Sequence, residues 1–168
     1  WAINSAKCQA QEPKDMQAES FDYFTKNLVK VYALYQQELF KNNALEFGEM
    51  ITLTYRLLRD NPDILEKYQT LYRYIHVDEY QDTNKVQFEI AKLLAGEKQN
   101  ICVVGDVDQN IYSWRGADIK NVLQFEKNFP GAQTIFLEEN YRSTQTIISA
   151  SNAVIVKNKK KKKKTVFT

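Results

Sequence analysis

Tyr72-Arg73-Tyr74-Ile75-His76-Val77-Asp78-Glu79 is the stretch on which the fold turns. It is short, β-branched and aromatic, and it stops at two acids, as a buried strand does where its carboxyl end meets solvent. The pattern recurs downstream. Ile101-Cys102-Val103-Val104 stops at Gly105-Asp106, and Thr134-Ile135-Phe136-Leu137 stops at Glu138-Glu139. Between these runs the spacing predicts a helix over 84–95, closed by Gly96, and another over 118–128, stopped by Pro130-Gly131. A last helix is predicted over 144–156. Short apolar strands alternating with helices predict an α/β fold with a three-stranded parallel sheet. The runs lack strict polar alternation, which predicts strands covered on both faces. On that reading His76, Tyr72 and Tyr74 belong to the core.

Upstream, the chain reads as helical. Phe24, Leu28, Val31, Tyr35 and Leu39 recur at steps of three and four, one face of a helix over about 20–41. Asn42-Asn43 breaks it. A second helix carries Phe47, Met50, Ile51, Leu53, Tyr55, Leu57 and Leu58. Asn61-Pro62 ends that helix and starts a third, with Asn61 as N-cap and Pro62 in the first turn. Residues 1–19 are polar and read as a loop or frayed end.

The chain has 168 residues, 43% of them hydrophobic and 12% aromatic, enough for a core. No stretch of 18 apolar residues occurs, so no spanning helix is expected. Trp1-Ala2-Ile3-Asn4-Ser5 has no signal-peptide character, and the first residue is not Met, so the chain is expected to start inside a longer protein. Cys8 and Cys102 are far apart and without histidine partners, which speaks against a zinc site or a disulfide framework and for a reducing, cytoplasmic setting. The net charge of +2 hides an asymmetry. Lys157 and Lys159 to Lys164 are seven of the 23 basic residues, and without them 16 basic residues face 21 acidic ones. A mildly acidic body does not bind nucleic acid by bulk charge, so any such contact must come from local groups. The lysine run itself reads as a solvated linker or as a polyanion contact.

In an open parallel sheet, ligands bind beyond the carboxyl ends of the strands. If all three strands are parallel, Asp78, Glu79, Asp106 and Gln109 converge there, with Tyr141 and Arg142 just past the third strand. Adjacent carboxylates suit a hydrated magnesium ion beside a water-activating base. A solvated turn would carry the same two letters, so the pair alone decides nothing.

Longer strings decide it. Val77-Asp78-Glu79-Tyr80-Gln81-Asp82-Thr83-Asn84 resembles motif II, the Walker B segment, of superfamily-one DNA helicases. Val104-Gly105-Asp106-Val107-Asp108-Gln109-Asn110-Ile111-Tyr112-Ser113-Trp114-Arg115-Gly116-Ala117 resembles their motif III, and Leu137-Glu138-Glu139-Asn140-Tyr141-Arg142-Ser143 their motif IV. Order and spacing match, and the resemblance is closest to the UvrD/PcrA/Rep group of 3′-to-5′ translocases and repair helicases. It is strong over 70–145 and weaker upstream. Leu45-Glu46-Phe47-Gly48-Glu49-Met50-Ile51 departs from the family's Leu-Asp-Phe-Asp-Asp-Leu-Ile, most visibly at Gly48. A mid-helix glycine costs about 1 kcal/mol relative to alanine, so a looser helix is expected there.

The resemblance implies a partial RecA-like P-loop NTPase sheet with flanking helices, preceded by a helical subdomain. Residues 1–44 would be part of the inserted helical subdomain, 45–142 the C-terminal half of the first RecA-like domain, and 143–168 the hinge and the start of the second. It also implies roles. Asp78 would hold magnesium and Glu79 would activate water for attack on the γ-phosphate of ATP. Gln81 would lie near that phosphate, Gln109 would sense it, Tyr141 would stack on adenine, and Arg142 would reach the γ-phosphate as an arginine finger. Tyr112, Trp114 and Arg115 would face single-stranded DNA, an aromatic face stacking on any base and a guanidinium holding a phosphate. Asp106 and Asp108 are read as organising their loop by Asx-type bonds.

No Gly-x-x-x-x-Gly-Lys-Ser/Thr string occurs, so the cradle for the β- and γ-phosphates is expected in a preceding part of a longer protein, and a second RecA-like domain in a following part. The sheet would then present an unpaired edge. The expected partners are single-stranded DNA and DNA junctions, with repair proteins as further candidates and no membrane. A helicase–nuclease subunit of the RecB/AddA kind and a non-catalytic single-strand-binding module remain open alternatives.

Overall fold

The computed structural model describes residues 1–19, 22–157 and 167. Five helices come first: α1 (Ala2–Cys8), α2 (Pro13–Glu19), α3 (Tyr23–Lys41), α4 (Phe47–Asp60) and α5 (Pro62–Leu71). Strand β1 (Ile75–Val77), helix α6 (Lys85–Ala95) and strand β2 (Ile101–Val103) follow, then α7 (Lys120–Leu123), α8 (Phe125–Asn128) and α9 (Gln145–Ile155).

Local chemistry sets these ends. The Asp22 carboxylate accepts the Thr25 amide at 2.9 Å and starts α3. Pro62 opens α5, where its missing N–H costs nothing. A reciprocal box starts α6: Gln87 N donates to Asn84 Oδ1 and Asn84 N to Gln87 Oε1, both at 2.9 Å. Gly96, at φ +53°, ends it.

The two strands pair in parallel, Ile75 with Ile101, His76 with Cys102 and Val77 with Val103. Alternate side chains leave opposite faces. Val77, Ile101 and Val103 pack on a core of Tyr80, Phe88, Ala95 and Phe129, joined by Val122 and Phe125. Tyr80 meets Phe125 edge-on at 5.6 Å between centroids. His76 and Cys102 leave by the opposite face and are exposed.

Several expectations are thereby corrected. The sheet is covered on one face among the described residues, so His76 is not a core residue. Tyr72 and Tyr74, at 49% and 73% exposure, lie on the approach to β1 and not in the core. The run at 134–137 pairs in no ladder among the described residues. β-branched content suits a strand but cannot supply the edge that a strand must pair with. The chain there makes one parallel bridge, Glu139 to Phe167, with Asn140 N donating to Phe167 O at 2.7 Å. Residues 1–19 hold two helices where a loop is expected. The helix expected over 118–128 is split into α7 and α8 at Gln124. In α3 the fully buried side of the helix is marked by Val29 and Tyr32, while Phe24 and Val31 are exposed. Gly48 sits in the first turn of an unbroken α4, not mid-helix. Of the lysine run, only Lys157 lies within the described residues.

Candidate functional site

The carboxyl end of β1 turns sharply. Glu79 adopts φ 48° and ψ 41°, a left-handed conformation that non-glycine residues avoid and that concentrates at functional sites. The turn sends Tyr80 back into the core and leaves Asp78 and Glu79 exposed at the strand end. The Glu79 amide is held by Asp78 Oδ1 at 2.8 Å. The ladder continues past the strands, with Val104 N donating to Val77 O at 2.8 Å and Tyr80 N to Val104 O at 2.9 Å. The ends of β1 and β2 are therefore locked side by side.

Gln81, 1% exposed, joins them. Its Nε2 donates to Glu79 Oε2 at 2.7 Å, and its Oε1 accepts the Asp106 amide at 2.9 Å. Its carbonyl accepts from Asn110 Nδ2. An amide side chain suits this place because it donates on one side and accepts on the other without titrating. Gly105 makes room for it. A Cβ on Gly105 would sit 2.6 Å from Gln81 Oε1 and 3.2 Å from the amide nitrogens of Tyr80 and Gln81.

Asp106 organises the next turn. Its Oδ1 accepts Asp108 N and its Oδ2 accepts Gln109 Nε2, both at 3.0 Å. Gln109 is exposed, six residues past the end of β2, which runs parallel to β1. The loop then presents Tyr112, Trp114 and Arg115 to solvent. Tyr112 and Trp114 lie 6.2 Å apart between centroids. The Arg115 guanidinium stacks over both, 5.2 Å from the Tyr112 ring and 4.5 Å from the Trp114 ring. Trp114 is 62% exposed, so one large aromatic face is open to a ligand.

Tyr141 and Arg142 stand apart. Tyr141 is exposed, and its hydroxyl donates to Glu139 Oε2 at 2.6 Å, a bond that raises the phenol above its ordinary value. Asn140 Oδ1 accepts the amides of Arg142 and Ser143, an Asx turn. Among the described residues no hydrogen bond or ion pair joins Tyr141 or Arg142 to Asp78, Glu79, Gln81 or Gln109. With no third strand in the sheet among the described residues, the expected convergence on one edge is confined to the first two strand ends.

No group of three or more His, Cys, Asp or Glu side chains able to hold a metal occurs among the described residues. The exposed Asp78 carboxylate nonetheless fits magnesium, which keeps most of its waters and takes phosphate oxygens as its other ligands. A cavity of about 530 Å³ between α4, α6 and β1 reaches Asp78, but its walls are mainly apolar and carry no cation for a phosphate.

Sequence reasoning missed four supports of this site. Asn110 lies inside a quoted motif, yet nothing in the string shows that its amide reaches back to Gln81. Asn121 Nδ2 donates to Thr83 O and Oγ1 at 3.0 and 3.1 Å, tying α7 to the exit of the first motif. Lys7, 1% exposed, pairs with Glu46 and lies 5.1 Å from the Tyr35 ring centroid. Cys8 packs against Gly116, and its thiol is pushed up by burial, against an opposing hydrogen bond from Asn84. No helical or strand period announces these long-range contacts.

The geometry agrees with what the sequence is similar to. The profile of the UvrD/REP helicase N-terminal domain matches residues 1–130. The chain is 52% identical over 167 residues to the ATP-dependent DNA helicase PcrA of Staphylococcus aureus, covering 99% of this chain and 23% of that protein. It is 50% identical, over the same shares, to the protein of that name from Staphylococcus epidermidis. The chain thus spans about a quarter of the length of the curated relatives it matches. Strand ends bridged by one buried glutamine, the motif strings they carry and the match over 130 residues lead to one assignment: the chain belongs to the UvrD/REP helicase N-terminal domain family.

Proposed function

We propose that this chain supplies the water-activating and single-strand-contacting groups of an ATP-dependent DNA helicase that moves 3′ to 5′ in repair or replication. The observation that carries the reading is the Gln81 bridge. It couples the Glu79 carboxylate to the backbone at Asp106, six residues before Tyr112 opens the Tyr112–Arg115 aromatic–guanidinium stack. In this reading Glu79 accepts the proton of the attacking water while Gln81 holds its carboxylate in place. Gln109 orients the same water or the γ-phosphate. Asp78 would hold magnesium, which when bound neutralises charge on the phosphates. Trp114 stacks on a base and Arg115 grips a backbone phosphate. Tyr141 and Arg142 serve adenine and the γ-phosphate once nucleotide draws them in. Residues 1–44 belong to the inserted helical subdomain, 45–142 to the first RecA-like domain and 143–168 to the hinge and the start of the second. DNA junctions and repair proteins are the further partners.

These 168 residues contain no Gly-x-x-x-x-Gly-Lys-Ser/Thr string, so turnover by them alone is expected to match a Glu79→Gln control. The test replaces the matching segment of the S. aureus protein with this sequence. DNA-stimulated ATP hydrolysis is expected in the chimera and its loss in Glu79→Gln. In the chain itself, Trp114→Ala should weaken oligothymidylate binding by about 1–3 kcal/mol. Arg115→Ala should lower the salt slope by about one phosphate contact. Full oligothymidylate affinity in both variants would refute the DNA assignment. A chimera whose turnover survives Glu79→Gln would refute the assignment of the base.

A further inference from the structure

We propose that Cys8, on α1, is a positioning residue for the Tyr112–Arg115 loop: packed against Gly116 and bonded to the Arg115 carbonyl, it fixes how Trp114 and Arg115 are presented. The proposal rests on the reading of that loop as the single-strand contact, but its geometric part is separable from it.

Three observations converge on this contact. The loop ends at Gly116, whose φ of +90° lies in the left-handed region. A Cβ there would sit 2.9 Å from Cys8 Cβ and 3.0 Å from Cys8 Sγ, so loop and helix meet with no spare space. The Cys8 thiol donates to Arg115 O at 3.8 Å, a sulfur hydrogen bond across 107 residues of sequence. The third observation concerns what holds α1. Its neighbouring residue, Lys7, is buried on the α3–α4 side, where it pairs with Glu46 and lies within 5.7 Å of the Tyr32 ring centroid. Adjacent residues of one short helix thus grip two different parts of the molecule, the helical layer through Lys7 and the loop through Cys8.

A positioning role has consequences that simple core packing lacks. Cys8→Ala removes the sulfur and its bond. Cys8→Leu pushes into Gly116. Cys8→Ser keeps a donor of similar size. In a Trp1→Phe background, Trp114 is the single tryptophan, so its acrylamide quenching reports loop presentation without any DNA. Quenching should change in Cys8→Ala and Cys8→Leu and stay near the parent value in Cys8→Ser, with helix content by circular dichroism unchanged. Oligothymidylate affinity should fall roughly two- to ten-fold in Cys8→Ala, the range set by one modest hydrogen bond. If Cys8→Leu does not fold, Cys8→Ala carries the test. Identical quenching in Cys8→Ala and its parent overturns the proposal. If the parent itself fails to bind oligothymidylate, the DNA reading of the loop falls, and the quenching series still decides whether Cys8 positions it.

Discussion

Gly105→Ala tests the Gln81 bridge at its tightest point. The added methyl would meet Gln81 Oε1 at 2.6 Å, well inside contact distance, and two backbone amides at 3.2 Å. Backbone at the junction of two paired strands moves little, so the side chain of Gln81 must leave. It then loses its bond from the Asp106 amide, worth about 1 kcal/mol, and its bond to the Glu79 carboxylate, worth about 1.5–3 kcal/mol. Glu79 is exposed, and water recovers part of the second term, which puts the total near 2–3 kcal/mol. Urea unfolding followed by circular dichroism reads this directly. With an m-value of about 2 kcal/mol/M, the midpoint should fall by about 1–1.5 M. The cycle with Gln81→Ala makes the test specific. Both single variants break the same two bonds, so the double variant should cost less than the sum by about 1–2 kcal/mol. A Gly105→Ala midpoint equal to the parent, or costs that add to within about 0.5 kcal/mol, would refute the bridge as the element that joins the strand ends.

Two further predictions concern buried polar groups. Lys7→Met leaves Glu46 and Glu49 without their cation and should cost up to about 3 kcal/mol, measured by the same unfolding assay. Burial pushes the Glu46 carboxyl up, but the bonds from Lys7 and Tyr35 outweigh it and hold the group below its ordinary value of 4.5. The stability from Glu46 is therefore present above that value and lost as pH falls through the lowered one, and the acid transition should be shallower in Lys7→Met. Tyr80→Phe addresses a hydroxyl that is buried with no hydrogen-bond partner among the described residues. Removing it should be neutral or stabilising by up to about 1 kcal/mol. Burial pushes the Tyr80 phenol up from 10.0 to about 12, so its contribution is full below pH 10 and is lost as pH rises towards 12. Alkaline unfolding should be delayed in Tyr80→Phe, and an unchanged alkaline midpoint would remove Tyr80 as a cause.

The sequence by itself determined what depends on near neighbours along the chain. Asn61-Pro62, Asn84 with Gln87, and Gly96 bound their helices because caps and first turns are local chemistry. The strings around Asp78-Glu79 and Gly105 to Gly116 named the candidate site residues, since a motif keeps residue types at fixed spacing. Tertiary structure decided everything that needs two distant segments. Ile75-His76-Val77 and Thr134 to Leu137 look alike as sequence, yet among the described residues only the first has a strand to pair with. His76 read as core because a three-residue strand carries too short a period to reveal an open face. Gln81 could be named from its motif, but its role as the link between two strand ends depends on β1 and β2 lying side by side. The meeting of Cys8 with Gly116 joins residues 108 positions apart, and only packing brings them into contact.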